Sequence, residues 1–100
     1  MIKIENKKSY RGDGVYVGRP SVLGNPFPMS DESERDAVIE KYRIWLRSEY
    51  AKKGVVYREL MALAGNYVRG EDIVLICWCH PKRCHAVMIK EAIEGIASQM

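Results

Sequence analysis

All three cysteines and both histidines of the chain fall within residues 77–85, in the run Cys77-Trp78-Cys79-His80-Pro81-Lys82-Arg83-Cys84-His85. Thiolate and imidazole serve as nucleophiles, as proton carriers and as ligands to soft metals, and three readings of the run follow. In the first, Cys84 is a reactive thiolate. A place in the first turn of a helix, beside Lys82, Arg83 or a histidine, lowers a thiol pKa, and His85 is the adjacent general acid or base. No cofactor is expected on that reading. In the second, Cys77, Cys79 and Cys84 join His85 or His80 around zinc. Against this, C-x-C-x4-C-H departs from the usual C-x2-C spacing, and ligands at adjacent helical positions diverge by about 100°. All four ligands would also come from one short segment, which crowds a tetrahedral shell. In the third, the cysteines are small buried hydrophobes and the histidines are a helix cap and a surface residue. A glutamate placed beside the histidines as in hydrolytic zinc motifs is absent, and so is the His-x-Glu of nucleobase deaminases.

A second set of polar groups lies in Arg19-Pro20-Ser21-Val22-Leu23-Gly24-Asn25-Pro26-Phe27. Arg19 is suited to bidentate binding of a carboxylate or phosphate, Ser21 and Asn25 add short polar groups, and Gly24 permits close approach of a ligand or a left-handed turn. Pro20 and Pro26 reduce the entropy lost in fixing the loop. The glycine pattern and lysine of a phosphate-binding P-loop are missing. The competing reading is a rigid turn in which Asn25 caps backbone groups and Arg19 makes an internal salt bridge.

The elements that must position these groups follow from periodicity. Short strands are expected at Met1–Ile4 and Val15–Val17, followed by an ordered loop over 18–29 anchored by Val22, Leu23 and Phe27. A helix capped by Ser30 runs to about Tyr50, burying Val38, Tyr42, Trp45 and Leu46 at three- and four-residue steps, and Lys52-Lys53-Gly54 ends it. A short helix over Tyr57–Ala64 is expected to stop at Gly65-Asn66. The apolar run Ile73–Cys77 reads as a central strand covered on both faces, and the last helix as spanning 84–97 with Val87 or Met88, Ala92, Ile93 and Ile96 inward. Strands so interleaved with helices imply a small single α/β domain over 1–100, its short parallel or mixed sheet packed against two or three helices. Ligand sites in such folds lie beyond the C-terminal ends of strands, where the cysteine–histidine run begins.

Tyr16-Val17-Gly18-Arg19-Pro20-Ser21, then Gly24-Asn25-Pro26-Phe27, and finally Cys77, Cys79, Pro81, Cys84 and His85 resemble the motifs of domain of unknown function 4326, a family of small bacterial and bacteriophage proteins. The resemblance runs from Tyr16 to the last helix. Leu23 departs from the pattern, since members often carry tryptophan there. The family has no assigned activity, so the likeness supports the choice of residues and implies little about a reaction.

With 100 residues, surface scaling predicts a folded surface of about 6,000 Å² and one modest core. Charged residues at 29% and hydrophobic ones at 47% exclude wholesale disorder. No apolar run spans a bilayer, and the lysine-rich start lacks a signal-peptide core, so a cytoplasmic location is expected, in the host cell if the protein is phage-encoded. The expectation that joins both sets is a nucleotide- or nucleoside-type ligand site. Arg19, Ser21, Gly24, Asn25 and Cys79 would hold an anionic small molecule, and Cys84 and His85 would face its reacting centre. The alternative is a zinc-stapled interaction protein that contacts nucleic acid through Lys3, Lys7, Lys8 and Arg11, or a host protein through Trp45 or Tyr50. The net charge of +3 is too small to favour nucleic acid by itself.

Overall fold

A computed structural model describes residues 1–79 and 82–100. In chain order the elements are β1 (Ile2–Asn6), β2 (Val15–Tyr16), a single 3-10 turn (Glu32–Glu34), α1 (Arg35–Ala51), α2 (Val55–Val68), β3 (Ile73–Cys77) and α3 (Ala86–Ala97). The strand order is β1-β3-β2, and β3 pairs in parallel with both neighbours, from Ile2 opposite Ile73 to Asn6 opposite Cys77 on one side and Val15 opposite Leu75 on the other. This is the small α/β domain expected, with three helices against an all-parallel sheet among the described residues. Its surface of 6201 Å² agrees with the scaling argument.

β3 is central, as its composition requires, but its burial alternates. Ile73, Leu75 and Cys77 enter the core with residues of all three helices, whereas Val74 and Ile76 are only half-buried. The second face is therefore not fully covered, which corrects the expectation of a strand buried on both sides.

The start of α1 differs slightly from the expected Ser30 cap. Asp31 caps the 3-10 turn by accepting from the Ser33 N–H at 3.3 Å, and the Ser30 hydroxyl instead donates to the Glu34 carboxylate at 2.9 Å. The buried stripe of α1 is Val38, Ile39, Tyr42 and Leu46, with Trp45 and Tyr50 at its margin. The break falls where Lys52-Lys53-Gly54 places it: Lys53 adopts a left-handed conformation with φ 57° and Gly54 caps α2.

α2 overruns its expected end. Gly65 and Asn66 lie inside it, and the chain turns at Gly70, whose φ is 88°. A helical glycine costs only about 1 kcal/mol, too little to end a helix whose apolar face continues to Tyr67. α3 begins at Ala86 rather than at Cys84, and its buried set of Ala86, Met88, Ile89 and Ile93 includes an isoleucine that the expected stripe passed over.

Candidate functional site

Two loops leave adjacent parallel strands at their C-terminal ends and form one site. After β2, the Val17 N–H continues the pairing by donating to the Ile76 carbonyl at 2.9 Å. The chain then folds through two successive turns, with Ser21 N–H bonded to Gly18 O and Gly24 N–H to Ser21 O, each at 2.9 Å. The Arg19–Pro20 peptide is cis. A Cβ on Gly24 would lie 3.0 Å from Ser21 O, 3.1 Å from the Arg19 Cα and 3.1 Å from Gly18 O, so only glycine fits without displacing the backbone. Leu23 is the buried anchor, and Asn25 Oδ1 accepts from the Phe27 N–H at 2.9 Å, closing an Asx turn.

The strand β3 ends at Cys77. Cys77 enters the core, and half-buried Cys79 turns to a cleft of about 280 Å³ between the two loops and the start of α1. Arg19, Asn25, Cys79, Cys84 and His85 all line this cleft. Ser21 and Gly24 do not, although both were expected to contact ligand. Gly24 is buried in the loop backbone, and the Ser21 hydroxyl is buried without a partner among the described residues, beside a separate hollow with Val15, Tyr16 and Glu59.

Cys84 precedes the helix instead of occupying its first turn, and the chemistry around it reverses the lowered pKa expected from sequence. Its Sγ lies 3.1 Å from Cys77 Sγ and takes the Ala86 N–H at 3.3 Å. The hydrogen bond with Cys77 and then burial push the thiol well above its ordinary range, against the smaller opposite effect of the Ala86 N–H. His85 is buried as well, with Nε2 2.6 Å from the Val17 carbonyl oxygen and its ring edge-on to Tyr42 at 4.9 Å. Since a carbonyl only accepts, Nε2 carries the proton. Burial lowers the imidazole pKa and outweighs the Val17 carbonyl, which favours the cation, and the Arg19 charge lowers it further.

Sequence reasoning passed over Arg35. Its Nε and Nη2 donate to the two Glu32 carboxylate oxygens at 3.0 and 2.8 Å, and its Nη1 donates to Arg83 O at 2.8 Å. Glu32, then a hydrogen bond to Cys79, raise its pKa further. Arg35 and Lys82 in turn hold the Glu32 carboxyl below the usual carboxylate range, with Lys82 Nζ at 3.2 Å. Arg83 meets Asp36 at 2.9 Å, so residues 82 and 83 are cross-braced to the start of α1. The three-residue step from Glu32 to Arg35 at a helix start was the one signal available in the sequence.

Aromatic residues complete the walls. Phe27 and Trp78 line the cleft, and the Trp78 indole is 52% exposed. Its Nε1–H donates to the Tyr16 hydroxyl at 2.9 Å, and that hydroxyl donates to Arg19 O at 3.0 Å. The salt bridge considered for Arg19 is absent among the described residues.

The family model described as domain of unknown function (DUF4326) matches residues 2–95. The chain belongs to this family. No curated protein and no solved structure matches it. Of the residues that carry the resemblance, Gly18, Arg19, Asn25, Phe27, Cys79, Cys84 and His85 line the cleft, whereas Pro81 lies outside the described residues, as does His80. Among the described residues no group of three or more histidine, cysteine or acidic side chains is arranged to hold a metal ion. No helix among them is long and apolar enough to cross a membrane. Of the basic residues considered for nucleic acid, Lys7 stands over the Tyr16 ring at 5.6 Å and Arg11 bonds to Lys8 O at 2.9 Å. Trp45 and Tyr50, considered for a host partner, are half-buried against the core.

Proposed function

We propose that the cleft binds a small anionic ligand of nucleotide or nucleoside type, held by charge at Arg19 and by stacking on an aromatic ring. The observation that carries this reading is the convergence of a guanidinium unpaired among the described residues and a half-exposed indole on one cleft from segments far apart in sequence. Because the Trp78 N–H already bonds to Tyr16, what the indole offers a ligand is its flat surface, which suits a base. A volume near 280 Å³ falls at the lower limit of about 300–1,000 Å³ for small-molecule sites, and suits one nucleoside-sized body better than a dinucleotide.

The state of Cys84 and His85 favours binding over nucleophilic chemistry. Cys84 is held as a thiol, and a thiol is a poor nucleophile beside a thiolate. With Nε2–H fixed on the Val17 carbonyl, Nδ1 is the basic atom of the His85 ring, which supports acid–base assistance by His85 ahead of attack by Cys84.

The test is tryptophan fluorescence of the Trp45→Phe variant, in which Trp78 is the sole indole. Saturable quenching by nucleosides or nucleotides, absent with inorganic phosphate alone, is expected. No saturable response to any of them at millimolar concentration would overturn the reading.

A further inference from the structure

Cys77, Cys79 and Cys84 form a graded series from the cleft to the core, and none of them is in a disulfide. Cys79 is half-buried, lines the cleft and is hydrogen-bonded by the Arg35 guanidinium. The Lys82 N–H donates to the Cys79 carbonyl at 2.8 Å, so the chain turns back between Cys79 and Cys84. Cys84 lines the same cleft but is only 3% exposed. Cys77 is fully enclosed, and its Sγ lies 3.1 Å from that of Cys84, about 1 Å beyond the length of a disulfide bond. An oxidant arriving from solvent therefore meets Cys79 first, while the pair already in contact lies behind it.

We infer that the three cysteines carry out thiol–disulfide exchange with a low-molecular-weight disulfide, which enters at Cys79 and leaves the chain with a Cys77–Cys84 disulfide. In the first step the Cys79 sulfur attacks the disulfide RSSR. A bond from Cys79 to one RS group forms, the RS–SR bond breaks, and RSH leaves with the Cys79 proton. In the second step Cys84 attacks the Cys79 sulfur of that mixed disulfide, and a second RSH leaves with the Cys84 proton. In the third, Cys77 attacks Cys84 across the 3.1 Å gap, and its proton passes to the departing Cys79 sulfur. In sum, two protein thiols are oxidised and one RSSR is reduced to two RSH.

The bond with Cys77 and burial keep Cys84 protonated, which suits it to the second step and not to the first. It is closed to disulfides in solvent. A thiol of raised pKa is nonetheless the stronger nucleophile once deprotonated, and a disulfide held on Cys79 in the same cleft offsets a small thiolate fraction by proximity. The exchange needs no other ligand in the cleft, so it stands or falls separately from the nucleotide-type reading.

Incubation of the reduced full chain with oxidised glutathione, quenched by acid and alkylation and mapped by mass spectrometry, tests this. The wild type should end with Cys77 and Cys84 joined and Cys79 alkylated. Cys79→Ser should slow formation of that disulfide by about tenfold or more. Cys84→Ser should stop at glutathione bound to Cys79, and Cys77→Ser at a Cys79–Cys84 disulfide. Should the two core variants fail to fold, the wild type and Cys79→Ser carry the test alone, because Cys79 lies on the cleft wall. A glutathione adduct or a Cys79–Cys84 disulfide as the final wild-type product, a Cys77–Cys84 disulfide that forms as fast in Cys79→Ser, or three thiols still reduced in excess oxidised glutathione would overturn the inference.

Discussion

The hydroxyl of Tyr42 donates to the carbonyl oxygen of Leu23 at 2.7 Å, and both residues are buried. One bond thereby fixes the middle of α1 to the loop that carries Arg19 and Asn25. Tyr42→Phe strands the Leu23 carbonyl without a donor, at a cost of about 1–3 kcal/mol. For a domain of this size the melting temperature should fall by at least about 4 °C. An unchanged melting temperature would show that the bond does not hold the loop.

Thiol reactivity should rank by access and not by nearness to α3. Cys77 and Cys84 are buried and in contact with each other, while Cys79 is half-buried on the cleft wall. In the native protein a chromogenic disulfide should modify one thiol quickly, and Cys79→Ser should abolish that phase. A fast phase that survives Cys79→Ser and maps to Cys84 would restore the reactive-thiolate reading.

Alkaline pH should weaken the fold. Cys84, through its bond with Cys77 and then its burial, and Tyr42, through burial, both hold their protons more tightly folded than unfolded. Their stabilisation is complete below the unfolded thiol value of about 8.5 and is lost as pH rises above it, through the thiol first and the phenol beyond about 10. Urea midpoints under reducing conditions should decline above about pH 8.5, and Cys84→Ala should remove part of the slope. A flat profile to pH 10 would contradict the raised thiol pKa of Cys84.

The acid side depends on His85, whose pKa is lowered chiefly by burial. A depressed value means that its stabilisation is present above about 6.5, the unfolded value, and is lost as pH falls through the folded value. The His85 ring proton should titrate below 6.5 by NMR. His85→Gln, which keeps an amide donor for the Val17 carbonyl, should flatten the acid-side loss of stability below about pH 6.5. A ring titration above 6.5 would mean that the imidazole is solvated.

Two glycines should respond in opposite directions to alanine. At Gly24 the new methyl meets three backbone atoms at 3.0–3.1 Å, and overpacking there should cost about 1–3 kcal/mol. At Gly95, in the exposed last turns of α3, it meets nothing within 4 Å, and the gain in helix propensity should be about 0.5–1 kcal/mol. Denaturation of the two variants side by side checks this, and a gain at Gly24 would refute the tight loop.

The features legible in the sequence are those set by local chemistry. Ile73–Cys77 could only be an inner strand, and Lys52-Lys53-Gly54 carries its stop in three consecutive residues. Gly65-Asn66 looked like a similar stop, yet helix length was decided by the apolar face running on to Tyr67. At the site, Arg19, Asn25, Cys79, Cys84 and His85 were readable because their types suit chemistry. Arg35 was not, because its role comes from the packing of residues 82 and 83 against the start of α1. The Cys84 environment was equally hidden. A thiol beside a helix start is expected to ionise, and only the fold reveals Cys77 across from it at 3.1 Å.

The strand order has a consequence for biosynthesis. β1 and β2 leave the ribosome before β3, but they do not pair with each other, and the strand that joins them is made only after both long helices. The nascent chain must therefore carry two unpaired strand segments while α1 and α2 can already form, a non-local arrangement of the kind that folds slowly and is prone to aggregate until closed. Since the cleft is built where β2 and β3 end, no ligand can assist the chain before β3 and the residues after it have been made.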